Sequence, residues 1–157
     1  MTNFDEMVEY GLPRQQSTRF EVAGIKYEVF FIEITDENYA YDSAVEFPEG
    51  FFKPDSVRHY DVTFDSDTNV RNKTYFKRTT DLPPGAGTRV LKCIERIIID
   101  HYTLYRVDLY SFAPADHRLT SVYCRIISKM KHKGSTIEVG LEPEWKANVL
   151  RTPRFYK

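Results

Sequence analysis

The chain has 157 residues, of which 41% are hydrophobic and 29% are charged, and its formal net charge is −1. This balance is typical of one globular domain spanning residues 1–157, and it argues against a disordered chain or a nucleic-acid-binding protein. The two cysteines form no Cys-x-x-Cys pair, which favours small buried side chains in a reducing compartment over a disulfide framework or a zinc site.

The first predicted element is a short helix over residues 2–11. Phe4, Met7 and Val8 recur at helical spacing, and Thr2 stands where a helix cap is expected. Gly11 is expected to end this helix.

A β-hairpin is predicted over residues 18–35, because apolar and polar residues alternate on both sides of Ala23-Gly24. On the second strand, one face carries Ile25, Tyr27, Val29 and Phe31, and the other carries Phe30, Ile32 and Ile34. A strand that is apolar on both faces is expected at the centre of a sheet.

The middle of the chain is predicted to contain a long aromatic loop and a second hairpin. Residues 36–57 are broken by prolines and a glycine but are too aromatic for a linker, so they are interpreted as a loop packed on the domain. Residues 58–65 alternate as a strand, with Tyr60, Val62 and Phe64 on one face. Residues 73–80 form another predicted strand, antiparallel to the first.

From Thr88 the apolar spacing becomes helical, with a stripe formed by Val90, Leu91, Ile94, Ile97, Ile98 and His101. A short strand is predicted over residues 106–113 and a second helix over residues 116–131. The last predicted strands are residues 136–141 and 148–151.

This order of elements predicts an α+β fold, a single domain with a mixed, mostly antiparallel central sheet flanked by helices. The strand, helix and strand between residues 73 and 113 imply one local parallel pairing. The four histidines lack metal-ligand spacing, so no metal site is predicted, and His101 is interpreted as a hydrogen-bonded core residue.

The most specific local pattern is the turn Gly85-Ala86-Gly87 before the long helix. Glycines at a helix start let backbone N–H groups approach a ligand, and the helix dipole favours an anion such as a phosphate. The alternative is a tight turn into a helix without any ligand. The pattern is neither Gly-x-Gly-x-x-Gly nor a P-loop.

The hairpin, the glycine turn, the long helix, the short strand and a helix carrying Tyr123 together resemble the GNAT-type N-acetyltransferase superfamily. In that family the turn after the fourth strand reads Arg/Gln-x-x-Gly-x-Gly/Ala and binds the pyrophosphate of acetyl-CoA. Residues 82–87 keep both glycines but have Leu82 at the first position. Residues 116–123 keep the tyrosine of the family's later helix, whereas Asp116 and Leu119 replace the usual Asn and Ala.

The resemblance implies that Gly85, Ala86, Gly87 and Thr88 hold the cofactor acetyl-CoA and that Tyr123 protonates the leaving thiolate. The alternative for Tyr123 is an ordinary core residue of an amphipathic helix. Residues 60–64, the glycine turn and the Ser111 to Tyr123 region also resemble small uncharacterised bacteriophage proteins of GNAT-like fold.

Two functions follow from this resemblance. The first is a degenerate, non-enzymatic protein of a phage that binds and modulates a host protein. It is motivated by Leu82, by the absence of the Gly-Phe that usually follows the family's tyrosine, and by the aromatic-rich loop from Tyr39 to Phe52, which is suited to contact. The alternative is an acetyl-CoA-dependent N-acetyltransferase. A third class, a nucleic-acid binder that uses sheet aromatics, is disfavoured by the near-neutral charge.

A cytoplasmic location without membrane contact is expected in either case, which for a phage protein means the host cytoplasm. The amino terminus lacks a secretion signal. No segment reaches the roughly 20 apolar residues that span a membrane.

Overall fold

Seven strands and one long helix form the described part of the chain. The computed structural model describes residues 1–35, 57–66, 83–112, 125, 134–141 and 147–156. The elements in chain order are β1 Asp5–Met7, β2 Gln15–Val22, β3 Ile25–Ile34, β4 His59–Ser66, α1 Ala86–Tyr105, β5 Leu109–Phe112, β6 Thr136–Leu141, β7 Ala147–Arg151 and a 3-10 turn Pro153–Tyr156.

The strands form one sheet in the order β1-β2-β3-β4-β5-β7-β6. Among the described strands, only β4 and β5 pair in parallel, and all other neighbours are antiparallel. The α+β class and the mixed, mostly antiparallel sheet are therefore confirmed. Of the predicted flanking helices, α1 is present, whereas residues 116–131 lie outside the described residues except for residue 125.

The predicted hairpin is confirmed as β2 and β3. Its two turn residues, Ala23 and Gly24, have φ angles of 55° and 78°. Two consecutive residues with positive φ match the right-handed twist of the strands, and this explains the tight connection. β3 lies between β2 and β4, as its apolar residues on both faces predicted.

The core lies between α1 and one face of the sheet. Tyr60, Val62 and Phe64 of β4 face α1, whose buried residues are Ala86, Val90, Ile94, Ile97, Ile98 and His101. The predicted helical stripe is thus the buried face of α1, except that Leu91 is only partly buried. Its burial against a sheet explains why the three- and four-residue spacing marked this segment so clearly.

The predicted helix over residues 2–11 is wrong, because Asp5–Met7 is a strand at the edge of the sheet. Phe4 packs edge-on against Phe31, with ring centroids 5.8 Å apart, while Met7 and Val8 are exposed. The three residues therefore do not share a buried face. A tertiary contact of Phe4 replaces the helical stripe that their spacing suggested.

The parallel neighbour of β5 is β4, not residues 73–80. β5 lies between β4 and β7, so both of its edges are paired. The predicted strand 73–80 and most of the predicted loop 36–57 lie outside the described residues.

Candidate functional site

The glycine turn opens α1 without a side-chain cap. Gly85 is the cap residue, in the left-handed region with a φ of 80°, and the first turn contains no acidic residue. The N–H of Ala86 donates to the Pro83 carbonyl at 3.1 Å, and the Ala86 side chain is buried. Gly87 and Thr88 are exposed, and helix geometry leaves their amide groups without intrahelical acceptors. Of the four predicted cofactor-binding residues, Ala86 therefore has its amide group already engaged.

The start of α1 lies towards the carboxyl end of β4. Near the end of the helix, His101 packs edge-on against Tyr60 at the start of β4, with ring centroids 5.0 Å apart. One turn earlier in α1, Ile97 lines a groove together with Phe20 of β2. Phe20 pairs with Tyr27 of β3, and Tyr27 pairs with Ser66 at the end of β4, so Ile97 lies nearer to that end of β4. The helix thus runs antiparallel to β4.

The described ladder between β4 and β5 lies at the start of β4, close to His101 and thus near the end of α1. It has three pairs, His59 with Leu109, Tyr60 with Tyr110, and Asp61 with Ser111. Beyond Asp61, β4 continues to Ser66 without a further β5 partner among the described residues. In α/β sheets ligands bind beyond the carboxyl ends of parallel strands, so the end of β4 is a candidate position for a ligand.

A polar cluster lies on the sheet face opposite α1. The Nε2 atom of His59 is 2.6 Å from Ser111 Oγ and 3.6 Å from Asp61 Oδ1. In a catalytic triad, the nucleophile and the carboxylate contact opposite ring nitrogens of the histidine. Here both Ser111 and Asp61 approach the same nitrogen of His59, Nε2. All three side chains are buried. The cluster therefore resembles a catalytic triad in composition but not in geometry.

A second polar network is buried beneath α1 and centres on His101. Its Nδ1 is 2.8 Å from the Tyr110 hydroxyl, and its Nε2 is 2.8 Å from Gln16 Oε1. Gln16 donates from Nε2 to Glu6 Oε2 at 2.9 Å, which identifies the other amide atom as oxygen. An amide oxygen only accepts hydrogen bonds, so His101 carries its proton on Nε2 and accepts from Tyr110.

Burial keeps His101 neutral. Its side chain is fully buried, stacked on Phe31 with ring centroids 3.8 Å apart. Burial, with a smaller contribution from the positive charge of Arg14, lowers the pKa of His101 to about 3. A group that is neutral and enclosed in this way orders its neighbours, and it does not exchange protons with a substrate near neutral pH.

The network reaches solvent at an ion pair. Arg14 lies 3.0 Å from Glu6 Oε2 and places its guanidinium 5.7 Å from the centre of the Tyr105 ring. Hydrogen bonds from Arg14 and then Gln16 lower the pKa of Glu6. The Tyr60 hydroxyl, 3.5 Å from Gln16, donates to Glu33 at 3.0 Å. The hydrogen bonds of the buried network therefore end at two carboxylates, those of Glu6 and Glu33.

The edge of the sheet presents an exposed apolar segment, Met7–Leu12. The exposed fractions of Val8 and Leu12 are 68% and 54%, and Tyr10 is fully exposed. The Leu12 N–H donates to the Glu9 carbonyl at 3.1 Å, and Gly11 has a φ of 80°, so the segment is an ordered turn.

The structure brings together few of the residues that the sequence singled out. Gly85, Gly87 and Thr88 share one exposed helix start, whereas Tyr123 lies outside the described residues. The role of His101 as a hydrogen-bonded core residue is confirmed. Sequence reasoning missed Gln16 and the exposed segment, because the segment was interpreted as helix and a lone Gln carries no pattern.

Neither a metal site nor a membrane-spanning helix is present in the parts of the chain described above. No group of three or more His, Cys, Asp or Glu side chains there is placed to bind a metal ion. No helix among those residues is long and apolar enough to cross a membrane.

Comparisons with protein-family models, with curated proteins and with solved structures found no match to this chain.

Proposed function

We propose that this protein is a binding module that modulates a partner protein without catalysing a reaction, and that it contacts the partner through β1 and the Met7–Leu12 segment. The observation that carries the proposal is the group of large apolar side chains exposed on and directly after β1, the outermost strand at one end of the described sheet. The resemblance to small phage proteins implies that the partner is a host protein.

Four of the six residues in the Met7–Leu12 segment have large, exposed apolar side chains: Met7, Val8, Tyr10 and Leu12. A single exposed leucine is ordinary, whereas several exposed apolar side chains close together in the chain are typical of an interaction site. Fully burying an exposed Val or Leu side chain is worth about 1.5–3 kcal/mol, and Val8 and Leu12 would contribute less because both are already partly covered. Because the turn is already ordered by its Leu12 to Glu9 hydrogen bond, binding loses little conformational entropy there.

A pull-down with matched variants tests this function. The wild-type chain and the double variant V8S/Y10S are compared with L104S, which changes an apolar side chain of α1 that is 48% exposed. We expect a stoichiometric partner to be retained by wild type and by L104S and to be lost from V8S/Y10S. All three proteins should unfold at similar temperatures, because no buried contact is removed.

Two results would count against the proposal. One is that the pull-down from an extract of host cells recovers no stoichiometric partner. The other is equal retention of the partner by V8S/Y10S and by wild type.

A second candidate function is binding of acetyl-CoA, with N-acetyl transfer to an amine. It is favoured by the glycine turn, which opens α1 with the exposed residues Gly85, Gly87 and Thr88 and with no acidic residue in the first helical turn. In this proposal Gly85, Gly87 and Thr88 contact the pyrophosphate, and Tyr123 is the general acid. Leu82 supplies no charge for the phosphates.

Calorimetry with acetyl-CoA on two Gly87 variants tests this candidate. A Cβ at Gly87 meets nothing within 4 Å, so G87S and G87D should both fold. An aspartate in the first helical turn stabilises the helix but repels a phosphate. We expect G87S to bind like wild type and G87D to bind at least about tenfold more weakly, a difference of about 1.4 kcal/mol. No binding by wild type at millimolar acetyl-CoA eliminates the candidate.

A further inference from the structure

We infer that β1 and the Met7–Leu12 segment accept an extended, basic segment of the partner protein, which pairs with β1 as an additional strand. This inference rests on the proposed protein-binding function and specifies the chemistry of the partner and its mode of binding.

The position of β1 supports strand addition. β1 is the last strand at one end of the described sheet, and its three residues, Asp5–Met7, pair with β2 alone among the strands that the structure describes. All three residues are exposed. The outer edge of such a strand presents N–H and C=O groups to which an extended peptide can bind.

The charges around β1 favour a partner segment that carries positive charge. Glu6 is neutralised by Arg14, whereas Asp5 and Glu9 have no ion-pair partner among the residues that the structure describes. Two exposed carboxylates thus flank the apolar side chains of Met7 and Val8. A second copy of this chain would bring like charges together, which disfavours self-association through β1. A segment with Lys or Arg between apolar residues complements both features.

The apolar turn extends the contact beyond β1. Tyr10 is placed by the turn that the Leu12 to Glu9 hydrogen bond closes, directly after β1 in the chain. An added strand that continues past Met7 would therefore meet Val8 and Tyr10. Main-chain pairing would supply affinity, and alternate side chains would supply specificity.

The test uses two synthetic peptides with the same apolar residues at alternate positions and either Lys or Glu at the others. Fluorescence anisotropy measures their binding to wild type and to the charge-reversed variant D5K/E9K. We expect wild type to bind the Lys peptide at least about tenfold more tightly than the Glu peptide. D5K/E9K should lose or reverse this preference, and added salt should weaken it.

Amide hydrogen exchange distinguishes strand addition from side-chain docking. On binding the Lys peptide, the amides of residues 5–7 should exchange at least about tenfold more slowly, because new main-chain hydrogen bonds protect them. Thermal unfolding of D5K/E9K serves as the folding control, since both side chains are exposed.

Each remaining outcome overturns a specific claim. Equal binding of the two peptides refutes the basic partner, and binding without amide protection refutes strand addition. If neither peptide binds at millimolar concentration while the V8S/Y10S pull-down still loses its partner, this inference fails and the protein-binding function stands. If the pull-down recovers no partner, the function itself fails.

Discussion

His101 connects residues that are far apart in the chain. Its ring lies on α1, contacts Gln16 of β2 and Tyr110 of β5, and stacks on Phe31 of β3. Each polar atom of the buried ring has a partner, so the network avoids the cost of a buried unsatisfied group. Its enclosure explains why a histidine on an apolar stripe acts as a structural residue here.

The depressed pKa of His101 predicts a loss of stability in mild acid. Its pKa is about 3 in the folded protein, against the 6.5 of an exposed histidine, so the unfolded chain takes up a proton first as the pH falls. The stabilisation is fully present above pH 6.5 and decreases towards pH 3. We expect the free energy of unfolding, measured with urea, to be about 2 kcal/mol lower at pH 5.0 than at pH 7.5 from this group.

The variant H101Q isolates this contribution. Glutamine does not titrate, so H101Q should be less stable at pH 7.5, and its stability should fall about 2 kcal/mol less than that of wild type between the two pH values. Identical pH dependence in the two proteins would contradict the assignment.

At the scale of elements, local signals and packing agree in the β2–β3 hairpin and in α1. The hairpin turn nevertheless contains a small conflict, because Ala23 adopts a φ of 55°, which residues with a Cβ disfavour. Asparagine tolerates this region better and is the preferred first residue of such turns.

The substitution A23N should therefore stabilise the protein by about 0.5–1 kcal/mol, as measured by urea unfolding. The matched change G24A places a Cβ at a φ of 78° and should destabilise it by about 1 kcal/mol. Neither side chain enters the core, so both effects belong to the backbone. A destabilised A23N would mean that the turn does not have this conformation.

At the scale of the molecule, stability is expected to be graded across the sheet. β3 and β4 are paired on both sides and carry fully buried residues such as Phe31 and Tyr60. β1 is paired on one side and is exposed. The proposed binding edge is thus the part of the described sheet with the least packing.

Native-state hydrogen exchange checks this gradient. We expect the paired amides of β3 and β4 to exchange only through global unfolding, and those of β1 to exchange through local opening that denaturant hardly affects. Since Thr2 donates two hydrogen bonds to Asp100, the variant T2A should speed exchange in β1 while leaving β3 unchanged. Equal protection of β1 and β3 in wild type would contradict the gradient.

Elements that form through short-range interactions are the ones that the sequence predicts well. The alternation around Ala23-Gly24 and the stripe of α1 arise within about 20 residues, and both predicted elements are present. Over residues 2–11 the same reasoning failed, because Phe4 packs against Phe31 and the strand pairs with β2. The helix predicted from Thr88 begins at Ala86, so the glycine turn marked the helix start to within two residues. The position of that start relative to β4 depends on the order of the strands.

Composition and periodicity were thus sufficient for the α+β class, the central hairpin and the buried face of α1, because a helix or strand records its environment in the spacing of its own residues. Tertiary structure alone decided that β4 is the parallel partner of β5, that Gln16 meets His101 and that Met7–Leu12 is exposed. Gln16 and His101 are 85 residues apart in the chain. A contact across that distance leaves no periodic signal, since it depends on how the strands are ordered rather than on any one strand.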